Sequence, residues 1–582
     1  MNIKQEIINT IIKQTKLSPD DVSSYLGKSV RPELGDYALA CFRLAKEQNK
    51  SPQKIAEEIA SLIKPNNLIE KVQVAGGYVN IFLNSAKIVE HVLSQENIRL
   101  SDDSKSKTIV IDYSSPNIAK PFGIGHLRST VIGNALYRIY SVLGYKCVGI
   151  NYLGDWGPQF THIIDGKERK DNCKWDSLTE FDVRNFANNS IPTLNEYYAI
   201  STSANDPIAR QRAKDLFQRL ESGDDRLTMF WKITKERSIK EFQRIYDLLS
   251  VTFDEYSGEA DTNQYLNQTI TDIEKKGLAE ISEGALVVKL DKYNMPPCLL
   301  RKQDGATLYA ARDITAAIKR YEKYRFHKMI YVVGADQKLH FRQFFKVLEL
   351  MGYEWAKDCI HVDFGLVRFK DASGEKQKMS TRKGTTILLE NVLNEAVERS
   401  EKVMNERSPE LASKVSHEDI KKVSQEVGIG AIIFNDLKNK RIKDVDFDWA
   451  QILSFDGETG PYLQYTHTRL ASLLEKYNQL TSNLKPPTSN FILLNTPEDI
   501  AIIKMLGEFP NIIQQSAEQY EPSILSNYLL SLSSLFNHYY QYHRIISDDK
   551  ELSVARIALV YHLKGIFSQG LTLLGITPLE KM

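Results

Sequence analysis

Apolar and polar positions follow several rhythms along this chain. Near the start, Ile3 to Gln14 and Ser51 to Ile63 repeat apolar residues every three or four positions, which predicts two helices. Ser51-Pro52 supplies a cap followed by proline at the first helical position. Val72 to Leu83 reads as strand, broken by Gly76-Gly77. The polar stretch Ser101 to Lys107 reads as a linker, closing a small α+β unit at 1–106. From Thr108 the rhythm changes. Thr108–Asp112, Leu127–Leu143 and Lys146–Tyr152 read as strand, helix, strand, and Lys328–Gly334 with Leu339–Met351 as a further strand and helix. That alternation predicts a doubly wound parallel sheet over 107–387, with ligands at the carboxyl ends of its strands. Between its halves, about 160–300, the chain is polar with helical spacing and reads as an insertion. Beyond Leu388, helical spacing dominates in Leu389–Asn405, Leu463–Tyr477 and Ser523–Tyr542. This predicts a helical stem at 388–458 and an all-α bundle at 459–582.

Composition narrows the class without naming it. At 582 residues several domains are expected, and 42% hydrophobic content suits folded globular ones. With 75 basic and 74 acidic residues the net charge is +1, so any basic surface must be local. The five cysteines are scattered, none in a CxxC pair, which argues against zinc and for a reduced compartment. No apolar run reaches the roughly 18 residues of a membrane span. Glu6, Asp20 and Asp21 make the amino end unlike a signal or transit peptide. We therefore expect a cytoplasmic protein with no membrane association and no metal site of its own. Gly27-Lys28-Ser29 is no P-loop, since the required earlier glycine is Val22.

The richest chemistry lies between the first strand and helix of the sheet, in Ser114-Ser115-Pro116-Asn117-Ile118-Ala119-Lys120-Pro121-Phe122-Gly123-Ile124-Gly125-His126. A small-residue turn opening a helix lets phosphate approach backbone N–H groups, and His126 adds a donor there. Far downstream comes a basic loop, Lys378-Met379-Ser380-Thr381-Arg382-Lys383-Gly384. Taken alone, the first could be a helix cap and the second a solvated loop.

Together with their neighbours they resemble the class I aminoacyl-tRNA synthetases, and the arginyl family in particular. The shared stretches include Ser114 to Lys120, Leu127-Arg128-Ser129-Thr130, Asn151 to Phe160, Tyr256-Ser257-Gly258-Glu259, Leu308 to Asp313, Ala335 to His340 and Gly460 to Tyr465. The resemblance implies a Rossmann-like parallel-sheet catalytic domain with insertions, a small α+β N-terminal domain and an all-α C-terminal helical bundle. It implies ATP-dependent ligation of L-arginine to tRNA(Arg) through an arginyl-adenylate, with Mg2+ accompanying ATP, by a monomer.

On that resemblance, His126, Lys378 and Lys120 are the catalytic candidates. Gly123, Gly125, His126, His340, Lys378, Met379 and Ser380 would face ATP, His340 on the adenosine side. Two positions depart from the family pattern. Gly123 stands where histidine is usual, and loss of one such donor commonly costs about 10²–10³ in rate when nothing compensates. Thr381 replaces the second lysine of the basic loop, a charge that Lys120 could supply. Glu259 and Asp313 match carboxylates that meet the planar guanidinium fork, with Tyr309 and Gln337 in the same pocket. Asp112 and Asn117 match the α-amino and carboxylate end. Competing readings are Asp313 as a helix N-cap and Glu259 as an exposed turn carboxylate. Tyr465, Arg469, Asn537 and Tyr540, in an aromatic and basic stretch of the bundle, suit stacking of splayed tRNA bases, although a tyrosine-rich core competes. The resemblance gives this bundle to the anticodon and the N-terminal domain to the outer corner of the tRNA. Gly123 also leaves room for a catalytically impaired synthetase-like tRNA-binding protein. A nucleotidylyltransferase could share the glycine–histidine turn, but the long helical end and the acidic pocket argue against it.

Overall fold

Five parallel strands form the centre of the catalytic region: β1 (Thr108–Asp112), β2 (Lys146–Leu153), β3 (Glu255–Gly258), β4 (Lys328–Gly334) and β5 (Cys359–Phe364). Their spatial order is β5-β4-β1-β2-β3. The computed structural model describes residues 3–29, 31–94, 106–203, 206–303, 307–370, 376–378, 387–407, 416–481 and 491–582. The chain runs outward from β1 to β3, then returns to start β4 beside β1, so the switch point lies between β1 and β4. A crevice at the carboxyl ends of these two strands is where such sheets bind ligands. The helices Leu127–Val142, Tyr309–Tyr324 and Lys338–Leu350 pack on the sheet and begin at those same ends.

The segment expected as a helical insertion contains more than helices. Gln159–Lys170, Glu180–Ala187, Ile191–Ser203, Pro207–Glu221 and Asp225–Leu248 are helical. Then Glu255–Gly258 rejoins the main sheet as its edge strand. Ala279–Ser282, Ala285–Val288 and Cys298–Arg301 form a separate antiparallel sheet. The sequence signal was weak for β3 because Glu-Tyr-Ser-Gly is short, polar and only partly covered, without the apolar run that marks a central strand.

At the amino end, four antiparallel strands pack with the helices Ile3–Thr15 and Pro52–Leu62. Ser51 caps the second helix by accepting from the Lys54 N–H at 3.3 Å. Gly76 (φ 59°) makes the hairpin turn, and a Cβ on Gly77 would lie 2.8 Å from Pro52 Cβ. This unit rests on the bundle through Asp36–Lys504 and a Tyr37 hydroxyl donated to Glu508.

The stem helices Leu389–Arg407 and His417–Leu437 lead to the short strand Val445–Phe447. That strand pairs with Val367–Lys370, which pairs in turn with Lys376–Lys378 at the start of the basic loop. The bundle comprises Gly460–Thr481, Pro497–Gly507, Phe509–Glu518, Ser523–Tyr542 and Lys550–Leu573. Among the described residues, no helix is long and apolar enough to cross a membrane.

Candidate active site

The turn after β1 is strained and tightly held. Ser114 (φ 71°), Ser115 (φ 47°) and Ala119 (φ 59°) all occupy the left-handed region, which residues with a side chain enter at a cost. Hydroxyls fix them. Ser114 N–H donates to Ser129 Oγ at 2.8 Å, and Ser129 Oγ donates to the Val332 carbonyl at 2.6 Å. Thr130 Oγ1 donates to Ser114 Oγ at 2.8 Å, and Ala119 N–H donates to Ser238 Oγ at 2.9 Å. The Ser-Thr of the following helix therefore serves the turn. Asn117 is left exposed beside Gly154, where a Cβ would come within 1.9 Å of Asn117 Oδ1.

Gly125 is exposed, and a Cβ there would meet nothing within 4 Å. His126 is half-buried against Phe122, with ring centroids 5.2 Å apart. Burial, then the nearby Lys120 charge, pushes its pKa below the usual imidazole value, so the ring is neutral at pH 7. Lys120 Nζ lies 5.1 Å from the Tyr198 ring centroid, and burial lowers its pKa too. Gly123 is buried and bridged to Leu388, with Ile124 N–H donating to the Ile387 carbonyl at 3.1 Å. The far side of the basic loop is thus fastened to the turn. At its near side, the Lys378 backbone pairs with Arg368. Met379 and Ser380 lie outside the described residues.

The acidic pocket lies at the ends of β1, β2 and β3. Glu259 opens the short turn Glu259–Thr262 directly after β3 and is half-buried, not an exposed turn residue. Burial, reinforced by the carboxylates of Asp313 and Asp155 and opposed by Arg312, pushes its pKa up to about 8. Asp313 sits in the second turn of Tyr309–Tyr324, so it does not cap that helix. Its Oδ2 is 2.6 Å from His340 Nε2. His340, matched to the adenosine side, is therefore fastened to a pocket carboxylate. Tyr309 is 67% exposed, and Gln337 is exposed at the end of β4. Asp112 is buried, with Oδ2 2.8 Å from Arg320 Nη1 and Oδ1 accepting from Ser115 Oγ at 2.8 Å. Both of its oxygens are engaged within the protein, which makes it a support for the turn in this structure.

Sequence reasoning missed the cations. Arg312 donates to Asn263 Oδ1 and to the Glu259 carbonyl, Arg320 holds Asp112, and Lys235 Nζ lies 2.6 Å from Asp155 Oδ2. The available signal was helical: Arg312 and Arg320 fall on the same face of Tyr309–Tyr324 as Ala316, all buried. Around the pocket, the four carboxylates of Asp112, Asp155, Glu259 and Asp313 face three cations, Lys235, Arg312 and Arg320. With Glu259 ionised, one negative charge is in excess, apart from His340; with Glu259 protonated, the charges balance.

In the bundle, the four candidates form one cluster. The Arg469 guanidinium lies 4.8 Å from the Tyr465 ring centroid and 5.2 Å from that of Tyr540, and donates to Asn537 Oδ1 at 2.6 Å. Tyr465 and Tyr540 are exposed, whereas His467 and Tyr539 are buried core. The aromatic stretch thus divides into surface and core. Among the described residues, no three His, Cys, Asp or Glu side chains converge on a metal-sized site.

Three families match the chain in order. "Arginyl tRNA synthetase N terminal domain" matches residues 1–83, "tRNA synthetases class I (R), catalytic domain" matches 88–449, and "DALR anticodon binding domain" matches 463–582. The arginine–tRNA ligase of Halothermothrix orenii is 42% identical, with all of both chains covered. That of Alkaliphilus metalliredigens is 43% identical over 94% of each chain. The solved arginyl-tRNA synthetases of Thermus thermophilus (TM-score 0.81) and Plasmodium falciparum (TM-score 0.82) share the fold at 23% identity. They cover the whole of this chain and 100% and 98% of their own. The chain belongs to the arginyl-tRNA synthetase family of class I aminoacyl-tRNA ligases.

Proposed function

We propose that Glu259 and Asp313 receive the guanidinium of L-arginine while this chain ligates it to tRNA(Arg) at the expense of ATP. The supporting observation is the facing pair itself. Burial raises the cost of ionising Glu259, the Asp313 carboxylate adds to it, and a planar cation beside Glu259 relieves it. Tyr309 and Gln337 border the same space, and Asn117 is placed to meet the amino and carboxylate end. Asp112 acts from behind, through Ser115 and Arg320.

ATP binds across the Gly125 turn. Gly125 allows close approach while the buried Gly123 supports the turn, His126 donates to phosphate, and Lys120 and Lys378 offset charge as pyrophosphate leaves. Met379 and Ser380 are assigned to ATP by the resemblance alone, and His340 links the adenosine end to Asp313. Mg2+ would accompany the ATP phosphates and offset their charge. The carboxylate of arginine attacks the α-phosphorus in line, and catalysis is positioning with charge stabilisation. Tyr465, Arg469, Asn537 and Tyr540 contact the tRNA. The working form is a cytoplasmic monomer.

ATP–pyrophosphate exchange across the twenty amino acids, with and without tRNA, tests the reading. Exchange with arginine alone supports it. Exchange with another amino acid, or none under either condition, overturns it.

A further inference from the structure

Arginine recognition depends on where the Glu259 carboxylate points, and its backbone is held from several sides. Ala260 N–H donates to Asp155 Oδ1 at 2.9 Å. Thr262 Oγ1 and Arg312 Nη1 donate to the Glu259 carbonyl at 2.7 and 3.3 Å. Gly258 N–H donates to Asp261 Oδ2 at 2.8 Å. Asp155, at the exit of β2, is the most deeply buried of these partners. Its second oxygen meets Lys235 Nζ at 2.6 Å, from the helix Asp225–Leu248 of the insertion. Trp231, one turn earlier on that helix, donates Nε1 to the Asp155 carbonyl at 2.7 Å. The fit leaves no slack, since a Cβ on Gly258 would lie 2.3 Å from Asp155 Oδ2. A carboxylate this deep is costly to keep charged unless a cation accompanies it. A charged acceptor also grips an N–H more strongly than a neutral one.

We infer that Lys235 and Asp155 are a positioning pair for arginine recognition: the Lys235 ammonium compensates the buried Asp155 carboxylate, which holds Ala260 N–H and so fixes Glu259 toward the guanidinium. The inference rests on Glu259 being the guanidinium partner. Neither member touches substrate. A purely structural tie between insertion and sheet would instead disturb ATP use, turnover and stability together.

The test measures arginine KM, ATP KM and kcat by pyrophosphate exchange, with melting temperature, for the full chain and for Lys235→Met, Lys235→Arg, Asp155→Asn, Glu259→Gln and the Lys235→Met/Glu259→Gln double variant. A small displacement of a binding group costs on the order of tenfold or more. Lys235→Met and Asp155→Asn should therefore each raise arginine KM about tenfold, with ATP KM and kcat within about threefold. Lys235→Arg should restore arginine KM to within about threefold, because it keeps the cation. Added to Glu259→Gln, Lys235→Met should cost less than about twofold more, since the group it positions is already disabled. Unchanged arginine KM in both Lys235→Met and Asp155→Asn, equal rises in both KM values, or multiplicative effects in the double variant would each overturn the pair. If Lys235→Met fails to fold, Asp155→Asn, nearly isosteric, decides by the same criteria. If Glu259→Gln leaves arginine KM unchanged, the pocket reading and the pair fall together. If it raises arginine KM while the pair variants do not, only the pair falls.

Discussion

The two ends of the site are built on opposite plans. At the arginine end, charges are buried and matched in advance: Asp112 with Arg320, Asp155 with Lys235, and Arg312 against the Glu259 backbone. At the phosphate end, Gly125 is open, His126 is neutral, and Lys120 makes no ion pair among the described residues, resting instead near the Tyr198 ring. The contrast follows from what each ligand brings. A guanidinium must be told from neutral or differently shaped rivals, which requires carboxylates held at fixed positions before it arrives. A triphosphate arrives with its own charge and its own cation, so donors that engage as it binds suffice.

The sharpest way to break the comparison is to remove one group from each end. Glu259→Gln takes a charge from a buried charge-to-charge contact, a loss of about 2–5 kcal/mol. We expect arginine kcat/KM to fall about 10³-fold in pyrophosphate exchange, within that range, with ATP KM little changed. His126→Ala should instead lower kcat by about 10², since a phosphate donor acts mainly in the transition state. If His126→Ala raised arginine KM as Glu259→Gln does, the two ends would be one cooperative unit and the comparison would fail.

The next effect is smaller and needs no mutation. Burial and neighbouring carboxylates hold Glu259 at a pKa of about 8, so without substrate it carries a proton at neutral pH. Guanidinium binding requires the ionised form. Below that pKa, binding must release the proton, so arginine KM falls as pH rises and flattens above about 8. The expected slope is roughly tenfold per pH unit between pH 6 and 7.5. Calorimetry in buffers of different ionisation enthalpy should register close to one proton released per arginine at pH 7. No release, or an arginine KM that climbs with pH over this range, would remove Glu259 from the guanidinium contact.

Much of this organisation was legible in the chain. β1, β4 and the helix Ser523–Tyr542 stand where their apolar patterns place them, because a buried strand or a helix face imposes its period on neighbouring residues. The short edge strand β3 escaped, since Glu-Tyr-Ser-Gly carries no such period. Asp313 could be read as a cap because the helix start was invisible; Leu308 opens that helix with no side-chain cap. The supporting cations escaped for a different reason. Arg320 meets Asp112, and Lys235 meets Asp155, only once the sheet and the insertion have folded together. Local pattern reports which face of an element is buried. It does not report which charge lies opposite.

The smallest effect probes a third region, where exposure and order coexist. Arg469 lies between two exposed tyrosine rings, and Asn537, which accepts from it, also donates to the Tyr462 hydroxyl at 2.8 Å. The guanidinium is thereby fixed in orientation on a surface that offers two aromatic faces to solvent. Stacking one base on such a face contributes about 1–3 kcal/mol. Arg469→Ala should loosen both rings and raise tRNA KM about tenfold in aminoacylation, while arginine KM in exchange stays within about twofold. Arg469→Lys should fall between, because it keeps the charge but loses the planar contact. The salt dependence of tRNA binding should weaken in Arg469→Ala and persist in Arg469→Lys, since it counts the cations near phosphate. Unchanged tRNA KM in both variants would make the cluster a clasp between the helices Gly460–Thr481 and Ser523–Tyr542. A rise in arginine KM alongside tRNA KM would mean that this distant surface and the rigid arginine pocket respond as one.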